Sequence, residues 1–127
     1  MNCKEPAIVE VVDDDQDIRR MLALVLQAHG FQVRAHNGGA AYLAAQRSVG
    51  RRVMLLDVRM PGMSGIEVQS QLKVQGDDIP VIFMSGESLP HETTAAQNSD
   101  AVAFLWKPFR TQHMLEALEK ALGTQAN

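Results

Sequence analysis

The chain has 127 residues, of which 46% are hydrophobic and 21% charged, a composition that builds one globular domain around its own core. A formal net charge of −3 and a pI near 5.7 offer no basic surface, so direct contact with nucleic acid or an anionic membrane is not expected. The longest apolar runs are far too short to cross a bilayer, Met1–Pro6 lacks the apolar stretch of a signal peptide, and the single cysteine, Cys3, has no disulfide partner and no metal-ligand neighbours. A single domain over 1–127, with a core from about 6 to 122, in the cytoplasm, is the expectation.

Strand-like apolar runs alternate with helix-like segments along the whole chain. Ala7–Val12 predicts a first strand, closed by Asp13-Asp14-Asp15. Gln16–His29 follows as a helix, with Ile18, Met21, Leu22, Val25 and Leu26 on one face and Gly30 as its stop. Gln32–His36 and Gly39–Arg47 repeat the strand–helix order. Arg52–Leu56 predicts the third strand, ending at Asp57 just before Met60-Pro61-Gly62. Ser64 with Glu67 three residues on opens a helix over Gly65–Val74 as a capping box. Ile79–Met84 runs into Ser85-Gly86. His91–Asn98 contains no large apolar residue, so a helix there is expected to be short, loosely docked or mobile. Ala101–Leu105 leads to Trp106-Lys107-Pro108, and a last helix over Gln112–Leu122 buries Met114, Leu115, Leu118 and Leu122. Most of the strand runs lack strict polar alternation, which fits strands covered on both faces. Five strand–helix units predict an α/β, doubly wound parallel sheet with right-handed crossovers. In such sheets ligands bind beyond the carboxyl ends of the strands, where strand order reverses.

Every residue with chemical potential falls at such an end. Asp13 and Asp14 follow the first strand, Asp57 the third, Ser85 the fourth and Lys107 the fifth. Carboxylates ~4–6 Å apart repel by roughly 3–4 kcal/mol per pair at an effective dielectric near 20. Either one of them stays protonated or a cation joins them. Oxygen donors without neighbouring His or Cys favour a hard ion, and Mg²⁺ suits a site of few carboxylates that also meets phosphate oxygens. Each residue has a plainer reading too: helix capping for the first aspartates, favoured for Asp15 and Asp17, a strand-end turn for Asp57, a solvated lysine for Lys107 and a turn residue for Ser85. Their joint placement favours chemistry. Asp57, after the strand expected to be central, is the candidate nucleophile toward phosphorus. Lys107 supplies a positive charge to the transferred oxygens, and Ser85 a hydroxyl to one of them.

Four motifs in this order and spacing resemble the receiver domain of two-component response regulators over essentially the whole chain. They are Val11-Val12-Asp13-Asp14-Asp15, Leu56-Asp57-Val58-Arg59-Met60-Pro61-Gly62-Met63-Ser64-Gly65, Phe83-Met84-Ser85-Gly86 and Phe104-Leu105-Trp106-Lys107-Pro108-Phe109. The resemblance implies a flavodoxin-like fold: a five-stranded parallel sheet in the order 2-1-3-4-5, with five helices. It implies that Asp57 accepts a phosphoryl group from a sensor histidine kinase or phosphotransfer protein. It implies Mg²⁺ held by Asp14, Asp57 and the backbone carbonyl of Arg59, with Asp13 acting through water. Ser85 and Phe104 match the switch residues and Lys107 the phosphate-pairing lysine; the Lys107–Pro108 bond is expected to be cis. The implied output is a shift of the surface made by the fourth expected helix, the fifth strand and the last helix, read by an unknown protein target. The implied molecule is a monomer or a phosphorylation-dependent dimer, catalysing only its own phosphorylation and dephosphorylation.

Some positions depart from the family pattern. Asp100 stands where relatives often carry glycine, and aspartate tolerates positive φ well enough to leave room for a shifted turn. Arg59 and Glu87, each two positions beyond a site residue, are expected to pair at the pocket mouth and to limit water access. Trp106, the sole tryptophan, is a candidate reporter of ligand binding or a simple packing residue. His29, His36, His91 and His113 have no metal-ligand spacing. Short of an output domain after Leu122, a stand-alone switch is expected; the alternative is an excised receiver of a longer DNA-binding regulator. A phosphoaspartate-type phosphohydrolase is disfavoured, because Arg59 occupies the place of that family's second aspartate. A phosphorylation-independent adaptor would lack the acidic pocket.

Overall fold

The computed structural model describes residues 6–86, 94 and 99–123. In chain order the elements are β1 (Ile8–Val12), α1 (Gln16–Ala28), β2 (Gln32–His36), α2 (Gly39–Ala44), β3 (Arg52–Asp57), α3 (Gly65–Val74), β4 (Val81–Ser85), β5 (Ala103–Trp106) and α4 (Thr111–Gly123). All five strands are parallel, in the order β2-β1-β3-β4-β5, as the resemblance implied. Four helices, rather than five, are formed among the described residues as full elements. The expected helix His91–Asn98 lies outside them apart from Thr94, which is helical.

Period-two alternation divides the core into two layers. Val9, Val11, Val53, Leu55, Ile82 and Met84 pack with Leu22 and Leu26 of α1 and with Met114 and Leu118 of α4. Val12, Met54, Leu56, Val81 and Phe83 pack with Tyr42 of α2 and with Val68 and Leu72 of α3. β3 is therefore the central strand covered on both faces, and its Val53–Leu56 run is fully buried.

The helix ends follow local chemistry. Asp15 caps α1, its carboxylate accepting from the N–H groups of Asp17 (2.9 Å) and Ile18 (3.3 Å). Past the other end, Gly30 takes φ +90°. The Ser64–Glu67 capping box forms reciprocally at 2.9 and 3.1 Å. Three sequence expectations are corrected. The second helix stops at Ala44 instead of Arg47, because the Arg47 guanidinium turns back to bond the carbonyls of Tyr42, Leu43 and Ala45. Met21, expected in the core, is 45% exposed, whereas Leu22 and Leu26 carry the α1 contact. Nor does Asp100 use a left-handed turn: no described residue other than glycine has positive φ. Its carboxylate instead pairs with Lys73 at 2.9 Å.

Candidate functional site

Parallel strands of one register bring their carboxyl ends to a common edge. Asp13 follows β1, Asp57 closes β3, Ser85 closes β4 and Lys107 follows β5. The turn after β3 fixes the acceptor position from two sides. Gly62 takes φ +82° after Pro61. Gly65 then presses the start of α3 onto the strand end, its N–H donating to the Val58 carbonyl at 2.8 Å. A Cβ at Gly65 would overlap the backbone carbonyl of Asp57. Gly65→Ala is accordingly expected to lower stability by about 1–3 kcal/mol; an unchanged urea midpoint would show that the contact is slack.

Asp13, Asp14 and Asp57 each offer a carboxylate oxygen within 4.8 Å of the others. Asp13 is fully buried and Asp57 only 5% exposed, whereas Asp14 is open to solvent. The Lys107 ammonium lies 2.7 Å from Asp13 Oδ2 and 3.6 Å from Asp57 Oδ1. Burial opposes the charge on Lys107, but the hydrogen bond to Asp13 and the charges of Asp57 and Asp13 outweigh it and hold the ammonium above its ordinary pKa. Asp57 moves the other way. Burial, reinforced by the charge of Asp13, pushes its carboxyl up to about 7, against the opposing pull of Lys107 and of the Arg59 backbone N–H that donates to it. One lysine thus falls short of neutralising the pocket. The donors are all oxygen, clustered and under-neutralised, which fits a hard divalent cation.

A cavity of about 370 Å³ opens over this edge, lined by Asp15, Asp57, Arg59, Ser85, Gly86 and Lys107. The Ser85 hydroxyl is fully buried and has no hydrogen-bond partner among the described residues. A buried hydroxyl of this kind is a donor awaiting an acceptor. β5 is tied to it through the backbone, Lys107 N–H donating to the Ser85 carbonyl at 2.8 Å. Phe104 lies between Phe83, 6.5 Å away, and Trp106, 4.7 Å away. Trp106 itself is half-exposed. The Lys107–Pro108 peptide is cis, as expected. The proposed Arg59–Glu87 pair involves Glu87, which lies outside the described residues.

One buried group escaped the sequence reading. Glu10, inside the β1 run Ile8-Val9-Glu10-Val11-Val12, is fully buried. Its carboxylate accepts from Arg34 (3.1 Å) and Ser48 (2.6 Å) and meets His36 Nε2 at 2.7 Å. Burial alone would raise its pKa; the bonds from His36 and Ser48 and the Arg34 charge prevail and hold it below the ordinary carboxylate value. The signal was present: an acidic residue interrupts an apolar strand, and Arg34 and His36 alternate at the same period in the next one.

Fold and pocket together define a doubly wound α/β domain with an acidic, lysine-bearing site at its topological switch. The chain belongs to the response regulator receiver domain family, which matches residues 9–119. It is 36% identical over 118 residues to the transcriptional regulatory protein FixJ of Azorhizobium caulinodans, covering 93% of this chain and 56% of that protein. It is 34% identical over 122 residues to the response regulator protein TmoT of Ectopseudomonas mendocina, covering 96% and 55%. The chain thus spans about half the length of the curated relatives it matches. Among solved structures, FixJ-N is similar with a TM-score of 0.85 and 34% identity, covering 94% of this chain and 95% of that one. The chemotaxis protein CheY4 of Vibrio cholerae is similar with a TM-score of 0.81 and 28% identity, covering 92% and 99%. Among the described residues no helix is long and apolar enough to cross a membrane.

Proposed function

We propose that this receiver domain is a Mg²⁺-dependent phosphoacceptor switch in which Asp57 takes a phosphoryl group from the phosphohistidine of a sensor kinase or phosphotransfer protein. The observation that carries this reading is the meeting of Asp13, Asp14 and Asp57 within 4.8 Å beside the Lys107 ammonium. An Asp57 carboxylate oxygen attacks phosphorus; the new O–P bond forms as the N–P bond breaks, and the imidazole leaves with the electron pair and takes up a proton. Asp14 and Asp57 would ligate the ion directly with the Arg59 carbonyl, and Asp13 through water. The ion supplies charge neutralisation for both nucleophile and incoming group.

Lys107 is the resident cation of the pocket, already bridging Asp13 and Asp57, and it turns to the phosphoryl oxygens once these appear. The Ser85 hydroxyl, without a partner among the described residues, donates to another of them. Movement of Ser85 draws on the β4–β5 edge, where Ser85 pairs with Trp106 and Phe83 with Phe104. Phe104 then repacks, and the surface beside β5 and α4 changes its population for a protein target. The domain acts in the cytoplasm and catalyses only its own phosphorylation and dephosphorylation. Whether it works alone or as the receiver part of a longer DNA-binding regulator, the phosphoacceptor step is the same.

The experiment is incubation of wild type and Asp57→Ala with acetyl phosphate or a phosphorylated kinase, with and without Mg²⁺. Incorporation confined to wild type with Mg²⁺ is expected. Incorporation without metal, or undiminished in Asp57→Ala, contradicts the proposal.

A further inference from the structure

Asp13 is held at every polar atom it owns. Its N–H donates to the His36 carbonyl at 3.2 Å. Its Oδ1 accepts from the Asp15 N–H at 2.9 Å and its Oδ2 from Lys107 Nζ at 2.7 Å. Its carbonyl oxygen accepts from Arg19 Nη1 at 2.8 Å. The first three partners belong to the sheet edge, the following turn and the pocket lysine. The fourth is a long side chain from the first turns of α1, reaching back six positions along the chain. Helical side chains lean toward the helix N-terminus, which makes this reach natural for Arg19.

The bonded carbonyl belongs to the peptide that joins Asp13 to Asp14. One of these residues is buried and fixed, and the other is exposed at the end of the loop. Resting on the reading of this pocket as a Mg²⁺ site, we propose that Arg19 is a positioning residue for that site: its guanidinium clamps the Asp13–Asp14 peptide and so sets how the two carboxylates are presented to the ion. A clamp of this kind acts through preorganisation, as partners of metal-ligating groups do.

Charge alone predicts the opposite sign. Deleting a cation next to an acidic pocket strengthens its pull on Mg²⁺, whereas loss of the clamp weakens binding by letting the loop relax. Arg20, the next residue, is exposed and provides a charge-matched control from the same helical turn. Calorimetric titration of MgCl₂ into wild type, Arg19→Met, Arg19→Lys and Arg20→Met separates the two effects. Arg19→Met is expected to weaken Mg²⁺ binding by roughly tenfold, Arg19→Lys by less, and Arg20→Met not at all. Unchanged or tighter binding in Arg19→Met, or equal weakening in Arg20→Met, overturns the positioning role. Should Arg19→Met fail to fold, Arg19→Lys decides: it keeps the charge and changes the donor geometry, so wild-type affinity there overturns the role. Failure of wild type itself to bind Mg²⁺ overturns the site reading, a different result from wild-type binding that is indifferent to Arg19.

Discussion

Asp57→Asn is expected to stabilise the metal-free chain at pH 8 by about 2–4 kcal/mol while abolishing phosphoryl uptake. The carboxyl of Asp57 is raised from 3.8 to about 7, a difference worth on the order of 4 kcal/mol at pH values above both. The sign follows from proton counts. Between about pH 4 and pH 7 the folded chain holds a proton at Asp57 that the unfolded chain has released, so folding stability falls as pH rises through that window. Above pH 7 the full cost is present. Asparagine has nearly the same shape and no charge to desolvate; the part of the gain that is lost is the Lys107 contact at 3.6 Å. Urea unfolding in the presence of a chelator measures the effect directly. Wild type is expected to lose stability relative to the variant from pH 4 to 7, and Mg²⁺ is expected to restore it in wild type. Equal stability of the two chains at pH 8 would mean that Asp57 is not under electrostatic stress.

Glu10→Ala is expected to act in the opposite direction, lowering stability by about 3 kcal/mol at pH 7. Removing one partner of a buried ion pair leaves the others uncompensated, which is the costly case. His36 would lose its 2.7 Å contact and Ser48 its 2.6 Å bond, while Arg34, with its side chain 34% exposed, can turn partly to water. Because the Glu10 pKa is depressed, its contribution is present above the unfolded value of 4.5 and lost as pH falls through the lower folded value. Glu10→Gln, which keeps an acceptor oxygen, is expected to lose less. A change below about 0.5 kcal/mol in Glu10→Ala would place the network among those surface ion pairs that contribute little.

The two substitutions also show why some features were legible in the sequence and others were not. The strands and the acceptor edge followed from short apolar runs ending in Asp, Ser and Lys, because a buried parallel strand and its polar terminus are both local features of the chain; the strand order is not local, and only the resemblance to receiver domains implied it. The Ser64–Glu67 cap and the Gly30 stop were equally local. Glu10 was not, since its partners come from β2 and from the loop before β3, and only the register Glu10↔Arg34 brings them together. The Arg47 side chain, which ends α2 early, and the Arg19 clamp are of the same kind: a long side chain whose target is set by tertiary packing. Met21 fitted the helical period but faces the groove of Ile18, Gly86, Lys107, Pro108 and Phe109 rather than the core. Periodicity locates a helix face to within one position; it does not locate the edge of the neighbouring layer.

The site of modification is the most direct measurement. Borohydride reduction of the chain after acetyl phosphate treatment converts an aspartyl phosphate to homoserine, which peptide mass spectrometry assigns to a single position. Homoserine at residue 57, formed only when Mg²⁺ was present, is the predicted result. Homoserine at 13 or 14, a phosphoryl group on a histidine, or no conversion at any position would contradict Asp57 as the acceptor.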